Sequence, residues 1–509
     1  MKVKTVSLDV GGKYVVILSR EDAENLGLRP LDRALVECGG RTATAIVDVS
    51  SVFSPGEIGI NPDLKARLGA SDGSEASVKP QPKPESVDFI KKKIRGGRLR
   101  YREIRKIVED VVHRRLSDIE LAAFVTALQT RGLSMDEVEF LSRSMIETGS
   151  TLRFGGTVVD KHSIGGIPGD KTSMVLVPIV ASSGLTIPKT SSRSITSPAG
   201  TADRMEVLAP VEHGIDEIRE IVEKTGGCLV WGGALDLAPA DDAFIRVEHP
   251  LGMDPLLLPS IISKKKAVNS EYVVIDIPTG RGAKVKTIGA AQELAEDFIE
   301  LGKRMGLKIK CAATFGEQPL GRGVGPALEA REVLLTLEGR GPGDLVEKAV
   351  GLAGILFSMT GKGDERTARA LLEKKALGKM KEIIEAQGGD PEVRPDDIPV
   401  GEKTARIRAE ADGRVLWIKN PELASIAKEA GAPKHKGAGI YLHRKIGEKV
   451  RKGDVLFTIH AEKSTKLENA VSLVQEYEPY GIGRRYGEKM ILKTVPSERP
   501  HKRIFILER

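Results

Sequence analysis

Residues 157–184 read TVVDKHSIGGIPGDKTSMVLVPIVASSG, and the order of patterns within them decides the fold. A short β-branched run passes into a glycine-rich turn, and the turn passes into a long apolar stretch at helical length. A strand, loop and helix in that order form the unit of an α/β sheet. The loop then lies at the C-terminal end of its strand, where open α/β sheets bind ligands. Its core, KHSIGGIPGDKTS, is close to a P-loop but fails its spacing. A P-loop needs Gly, four residues, then Gly-Lys-Ser/Thr. Here Gly165 and Gly169 are separated by three residues, and Asp170 precedes Lys171 and Thr172.

The helix start offers unpaired N–H groups and the positive end of a dipole to an anion. Lys161 adds a charge, Ser163, Thr172 and Ser173 add hydroxyls, and Gly165, Gly166 and Gly169 permit close backbone approach. An aspartate at this point repels a polyphosphate, yet it can orient Lys161 or a hydroxyl toward a single inorganic phosphate. A plain Gly-rich turn with Asp170 as its helix cap accounts for the same residues.

Outward from this loop, LTIPKTSS and CLVWGG read as further strands. Between them KTSSRSITSPAGTAD (189–203) places seven hydroxyls and Arg193 on a second loop at strand ends. Arg193 is expected to fork onto a second phosphate, and a solvated Ser/Thr loop is the alternative. A helical patch follows, PADDAFIRVEHPLGMDPLLLPSIISKKKAV, then strand-like YVVIDIPTG and helical AAQELAEDFIELGKRMG. The chain is therefore expected to leave the α/β lobe, join a helical one and return. Ser260 and Lys264 are four apart and share a helix face. Asp254 lies in an apolar stretch, where burial is expected to keep its proton available for a general acid. A turn aspartate before a proline is the competing reading.

Upstream, VDFIKKKI, YREIRKIVEDVVHRRL, SDIELAAFVTALQTRG and SMDEVEFLSRSMIETG carry helical periodicity, with Ser134 and Glu137 as a capping box and Gly132 ending the helix before it. KPQPKPES (79–86) reads as a stiff linker. The short β-rich runs before it predict a small β-barrel, double-psi-like, of the kind used in assembly. KIGEKVRKGDVLFTI reads as a hairpin pair near the C-terminus. The expected fold class is thus α/β multidomain: a helical lobe, a mixed-sheet α/β lobe, an N-terminal small β-barrel and a C-terminal α+β domain. Expected boundaries are 1–84 for the barrel, 86–153 with 238–268 for the helical lobe, 154–237 with 269–400 for the α/β lobe, and 401–509 for the last domain.

The chain has 509 residues, 40% hydrophobic and 29% charged, with a net charge of +7. Basic and acidic residues interleave and no basic stripe carries stacking aromatics, so nucleic-acid binding is disfavoured. No apolar run approaches the roughly 20 residues that span a bilayer. The start lacks a signal peptide's pattern, and a cytoplasmic location is expected. Cys38, Cys228 and Cys311 form neither a metal spacing nor a disulfide framework.

DKHSIGGIPGDKTS, then IPKTSSRSITSPAGTADRMEVL, then LAPADD and SIISKKKAV, in that order, resemble the thymidine and pyrimidine-nucleoside phosphorylases. The likeness covers roughly residues 86 to 500, and the N-terminal extension matches an archaeal branch that acts on nucleotides. The resemblance implies two lobes that close over the substrates. It implies AMP (with CMP and UMP as alternatives) and inorganic phosphate as small-molecule substrates, no cofactor and no metal, with neither nucleic acid nor membrane as partner, and a homodimer or larger homo-oligomer through the N-terminal domain. It implies phosphate contacts from Lys161, Ser163, Thr172 and Ser173. Nucleotide contacts are expected from Gly166, Ser192, Arg193, Ser194, Ile195, Thr196, Ser197, Thr201, Ser260, Lys264 and Lys284, and the proton donor is Asp254. Two departures from the nucleoside enzymes favour nucleoside monophosphates. Ser197-Pro198-Ala199-Gly200-Thr201 replaces their GHTGGT, and GRGAK supplies Lys284, a cation suited to a 5′-phosphate. A pyrimidine-nucleoside phosphorylase, a phosphoribosyltransferase of the anthranilate type and a non-catalytic nucleotide-binding assembly protein are the other readings.

Overall fold

The computed structural model describes residues 1–194, 197–235 and 237–483. Expected contacts Ile195 and Thr196 lie outside the described residues. At the N-terminus the alternating runs form six strands: β1 (Lys2–Thr5), β2 (Val15–Leu18), β3 (Arg33–Cys38), β4 (Arg41–Val49), β5 (Glu57–Ile60) and β6 (Ala76–Pro80). They make one mixed sheet in the order β1-β5-β2-β4-β3-β6, with β1 parallel to β5 and β2 parallel to β4. The sheet curls until Lys2 bridges Glu75, next to β6. Val16, Leu18, Val36, Ile58 and Ile60 fill its interior. Part of the expected linker belongs to this sheet, since Lys79 and Pro80 pair with Leu35 and Ala34 of β3. Proline is tolerated there because β6 is the last strand of the ladder and the Pro80 position closes it.

The helical lobe begins with helices Ser86–Ile94, Tyr101–Val112, Asp118–Arg131 and Met135–Glu147. Ser134 and Glu137 make the anticipated capping box, and Gly132, at φ 69°, ends the preceding helix. Glu137 does more than cap. It is buried against Lys93 at 2.7 Å and also accepts the Leu99 N–H at 3.0 Å. The returning segment supplies helices Pro239–Leu251 and Leu257–Ala267. Ala240, Ala243, Phe244 and Leu256 pack into the same core as Ile104, Ile107, Phe124 and Leu141. Leave-and-return is therefore dictated by the apolar stripe of the 239–251 helix, which finds its partners more than a hundred residues upstream.

The α/β lobe contains β7 (Val159–Ser163), β8 (Ile187–Ser191), β9 (Gly227–Trp231), β10 (Tyr272–Thr279) and β11 (Lys308–Phe315). β11, β10 and β7 run parallel in that order, as do β8 and β9. The Val158–Thr186 bridge, also parallel, joins the two groups at β7 and β8. The Thr172–Ala181 helix, buried along its whole length, and the Gly343–Thr360 helix share a core with β7, β9 and β10. The C-terminal domain is built from β12 (Gly323–Val324), β13 (Lys403–Arg408), β14 (Gly413–Ile418), β15 (Gly439–Leu442), β16 (Lys449–Val450), β17 (Val455–Ala461) and β18 (Tyr480–Gly483), with helices Asn420–Glu429 and Ser464–Tyr477. The expected hairpin pair at 445–459 does not form. β16 pairs with β14, whereas β17 pairs with β13 and β15 in another sheet. Local turn chemistry predicts the pairing, but the two strands belong to separate sheets.

Phe244 carries the return of the chain, fully buried with its ring 6.0 Å from that of Phe124. Phe244→Ala is expected to cost about 3–5 kcal/mol, read as a lowered denaturant midpoint.

Candidate active site

β7 delivers the glycine-rich loop to the C-terminal edge of the parallel sheet, where its last residue, Ser163, is level with Asp276 of β10. Gly165, Gly166 and Gly169 have φ of 81°, 93° and 75°, a region costly for any residue with a Cβ. Space excludes a side chain at two of them as well. A Cβ on Gly166 would sit 2.7 Å from the Lys284 backbone nitrogen, and one on Gly169 would sit 2.7 Å from the Leu320 carbonyl oxygen.

Asp170 is the hub of this loop. One carboxylate oxygen accepts the Thr172 hydroxyl at 2.6 Å, and the other accepts the Ser163 hydroxyl at 3.0 Å. Lys348, from the Gly343–Thr360 helix, stands 3.4 Å from Asp170 and 2.8 Å from Asp276. Lys161, also buried, lies 3.6 Å from Asp276. Burial alone would push the Asp170 carboxyl up, but Lys348 and Lys161 outweigh it and hold the group well below the usual carboxylate range. Burial opposes the Lys348 charge in turn, and Asp170 and Asp276 more than restore it. The result is a fixed arrangement of two ammonium groups, two hydroxyls and a helix N-terminus with Ser173 buried in its first turn. Such a cradle suits one small oxyanion. Lys171, the lysine that a P-loop would aim at phosphate, points elsewhere. It donates to the carbonyls of Leu320 and Gly323 at 2.9 Å each and pairs with Glu332 at 2.6 Å.

The second loop is organised by Asp203, which accepts the N–H groups of Ser194 at 2.6 Å and Gly200 at 2.7 Å. Ser194 donates to the Ser197 carbonyl and Ser197 to that of Ala199 at 2.9 Å. Thr201 opens the short helix that follows, where Arg204 reaches its hydroxyl at 3.4 Å. Arg204 also ties this loop to the first, donating to the Asp170 carbonyl at 2.7 Å and pairing with buried Glu329 at 2.5 Å. The phosphate fork expected of Arg193 is engaged by carboxylates instead. It grips Glu206 at 2.7 and 3.0 Å and Glu212 at 2.8 Å, and lies over the Trp231 ring. Ser192 is held under Gly200, where an added Cβ would meet its carbonyl at 2.6 Å.

Asp254 sits on the turn between the two returning helices. The expected burial of Asp254 does not hold. Its neighbour Leu256 is the residue that enters the core, and the Asp254 side chain is 45% exposed and paired with Lys284 at 3.0 Å. The buried carboxyl is Glu248, one helix turn upstream of this bend. Its side chain accepts the Leu256 N–H at 3.3 Å and its backbone carbonyl accepts the Met253 N–H at 3.1 Å. Burial first, then the charge of Asp254, pushes Glu248 up to about 8. Lys264 pairs with buried Asp241 at 2.5 Å, while Ser260, half-buried on the same helix, accepts the Ser263 hydroxyl through its carbonyl. On that helix Lys265 reaches into the sheet to Asp160 at 2.7 Å, pinning the helical lobe to β7. Burial and the charges of Lys265, Lys189 and Lys161 keep His162 neutral.

The structure therefore gathers Lys161, Ser163, Thr172 and Ser173 in one cradle, and brings Gly166 against Lys284 and Lys284 against Asp254. It adds Lys348, Asp276, Arg204, Glu329 and Glu248, which sequence reasoning passed over. A signal existed for some of them. Lys348 occupies an apolar helical position, between Leu345 and Leu352, and Asp276 interrupts the apolar strand YVVIDIPT. Charges in such places need partners.

Comparison with known proteins gives the same picture. Residues 87–149 match the glycosyl transferase family helical bundle domain, 155–385 the glycosyl transferase family a/b domain, and 415–480 the pyrimidine nucleoside phosphorylase C-terminal domain. The lobe arrangement is similar to the crystal structure of anthranilate phosphoribosyltransferase from Thermus thermophilus, with a TM-score of 0.51 and 20% identity over 59% of this chain and 99% of that one. The chain is 50% identical to the AMP phosphorylase of Thermofilum pendens over 100% of both chains. It is 52% identical to that of Thermococcus kodakarensis over 97% of this chain and 99% of the relative. The chain belongs to the AMP phosphorylase family.

Proposed function

We propose that the protein cleaves AMP with inorganic phosphate, releasing adenine and ribose 1,5-bisphosphate. The observation that carries this reading is the charged cradle of Lys161, Lys348, Ser163 and Thr172, joined to the Asp254–Lys284 pair by the close approach of Gly166 to Lys284. The carboxylate in the loop favours one phosphate that must be oriented. Asp170 accepts hydrogen bonds from the hydroxyls of Ser163 and Thr172, which sets the rotation of both groups. In the proposed reaction a phosphate oxygen bonds to C1′ as the C1′–N bond breaks, through a transition state of oxocarbenium character. The bound phosphate dianion stabilises the developing positive charge before it becomes the nucleophile. Asp254 gives its proton to the departing base, and Lys284 receives the 5′-phosphate.

The contacts expected from Gly166, the 192–197 loop, Thr201, Ser260 and Lys264 belong to the same proposal. Gly166 is supported by its approach to Lys284. Arg193 is better read as a brace that orders the second loop, since its fork is filled by Glu206 and Glu212. Closure of the two lobes would bring acid and phosphate into line. Self-association through the N-terminal unit is a further part of the proposal. Its support is the exposed apolar set Leu31, Ile94 and Ile119, 71%, 41% and 72% exposed at the seam with the helical lobe. Among the described residues no helix is long and apolar enough to cross a membrane.

The deciding assay is phosphate-dependent release of adenine from AMP, run beside CMP, UMP, adenosine and thymidine; release from thymidine but not AMP would reassign the enzyme to nucleosides. Asp254→Asn is expected to lower kcat by roughly 10²–10⁴-fold with AMP binding retained, and normal turnover would remove it as the acid. Lys348→Met should raise KM for phosphate by roughly 10- to 100-fold, as loss of a charge-assisted contact does, with KM for AMP little changed. Equal changes in both constants would make Lys348 a scaffold residue only.

A further inference from the structure

One guanidinium group stands between the two loops that the reaction needs. Arg204, in the short helix after the second loop, is buried. One of its terminal nitrogens donates to the Asp170 carbonyl at 2.7 Å, and the other donates to the Ala199 carbonyl at 2.7 Å. These acceptors lie 34 and 5 positions back along the chain, so one planar group holds both loops. The Thr201 hydroxyl is 3.4 Å from the nitrogen that meets Asp170. Behind the fork, Nε of Arg204 lies 2.5 Å from Glu329, a fully buried carboxyl on the Pro326–Leu337 helix. The other oxygen of Glu329 accepts the Gly325 N–H at 2.9 Å. We propose that Arg204 is a positioning residue that couples the two substrate sites: phosphate in the cradle strengthens AMP binding on the second loop, and AMP strengthens phosphate binding, through this one side chain. The coupling rests on the AMP-cleaving reading and deepens it, because it makes each substrate a condition for tight binding of the other.

What each contact fixes gives the coupling its direction. The Asp170 side chain holds the Ser163 and Thr172 hydroxyls, while its backbone carbonyl is held by Arg204. A shift of Asp170 therefore moves the cradle and the guanidinium together. On the other side Asp203, the residue before Arg204, accepts the N–H groups of Ser194 and Gly200. The second loop is thus tied at Asp203 to its own backbone and at Arg204 to the first loop. Glu329 supplies a third fixed point, so the fork does not simply follow whichever loop moves. Displacing either loop strains or breaks a charge-assisted hydrogen bond to the other. Contiguous hydrogen-bond networks of this kind carry energetic coupling between sites, and linkage makes the effect reciprocal. Arg193 has no such reach in the bonds it makes, since it is engaged by Glu206 and Glu212. Lysine would not replace arginine at 204. Its ammonium group ends one bond short, near the place of Cζ, and has no fork to span two carbonyls.

The test is an equilibrium titration of AMP into the full chain carrying Asp254→Asn, where turnover is slow, with and without inorganic phosphate at constant ionic strength. The ratio of the two dissociation constants is the coupling factor, expected to be about 5-fold or more. Adding Arg204→Lys, which keeps a cation beside Glu329, is expected to bring the factor close to 1 while the affinity for AMP alone changes little. A residue that merely shapes the fold would instead weaken AMP alone and leave the factor in place. Should Arg204→Lys fail to fold, Arg204→Met combined with Glu329→Gln leaves no unpaired buried charge and keeps an acceptor for the Gly325 N–H; the same loss of coupling is expected. A factor near 1 before Arg204 is changed overturns the proposal, as does an unchanged factor in a folded Arg204 variant. If Asp254→Asn still turns over rapidly, the same factor is taken from initial rates with both substrates varied. Failure of the underlying reading is separate, since it would appear as no phosphate-dependent release of adenine from AMP by the wild type.

Discussion

Asp170 and Asp276, with Lys161 and Lys348 between them, form the contact on which the rest of the site depends. Each charge is buried or nearly so, and none is tolerable there alone. Lys348 is 2.8 Å from Asp276 and 3.4 Å from Asp170, so one ammonium group joins the central strand, the glycine loop and the Gly343–Thr360 helix. The same carboxylate of Asp170 turns the hydroxyls of Ser163 and Thr172. An anion arriving at this loop meets two ammonium groups, Lys161 and Lys348, already fixed in place by their carboxylate partners.

The other half of the site rests on a different principle. Asp254 and Lys284 are half exposed and paired only with what the cleft offers. The cradle around Asp170 is buried and fixed, whereas the Asp254–Lys284 pair is open to competition from solvent and solutes. The helical lobe is pinned to β7 by the buried Lys265–Asp160 pair.

Much of this was legible in the chain. The glycine spacing around Asp170, the strand-to-helix order and the helical stripe of 239–251 each follow from short-range pattern, because backbone conformation and amphipathic period are local properties. Lys161, Ser163 and Thr172 stand within or beside that loop, so the same local pattern places them together. Lys171 was the misleading residue: by motif it belongs with the phosphate, yet it is turned toward Glu332 and the 320–323 carbonyls. Asp254 was misjudged in the same way, since an apolar stretch predicts burial for the segment but does not say which of its residues faces the cleft. Glu248 took the buried place.

The sequence by itself determined the element types, the glycine-rich turn around Asp170 and the excursion of the chain between two lobes, since each depends on residues close together. The tertiary structure decided which charges meet. Lys348 lies 178 positions from Asp170, and Lys284 lies 30 from Asp254. No local pattern encodes such a pairing, because the force that selects it is the cost of leaving a charge unpaired in a packed interior, and that cost exists only once the interior has formed.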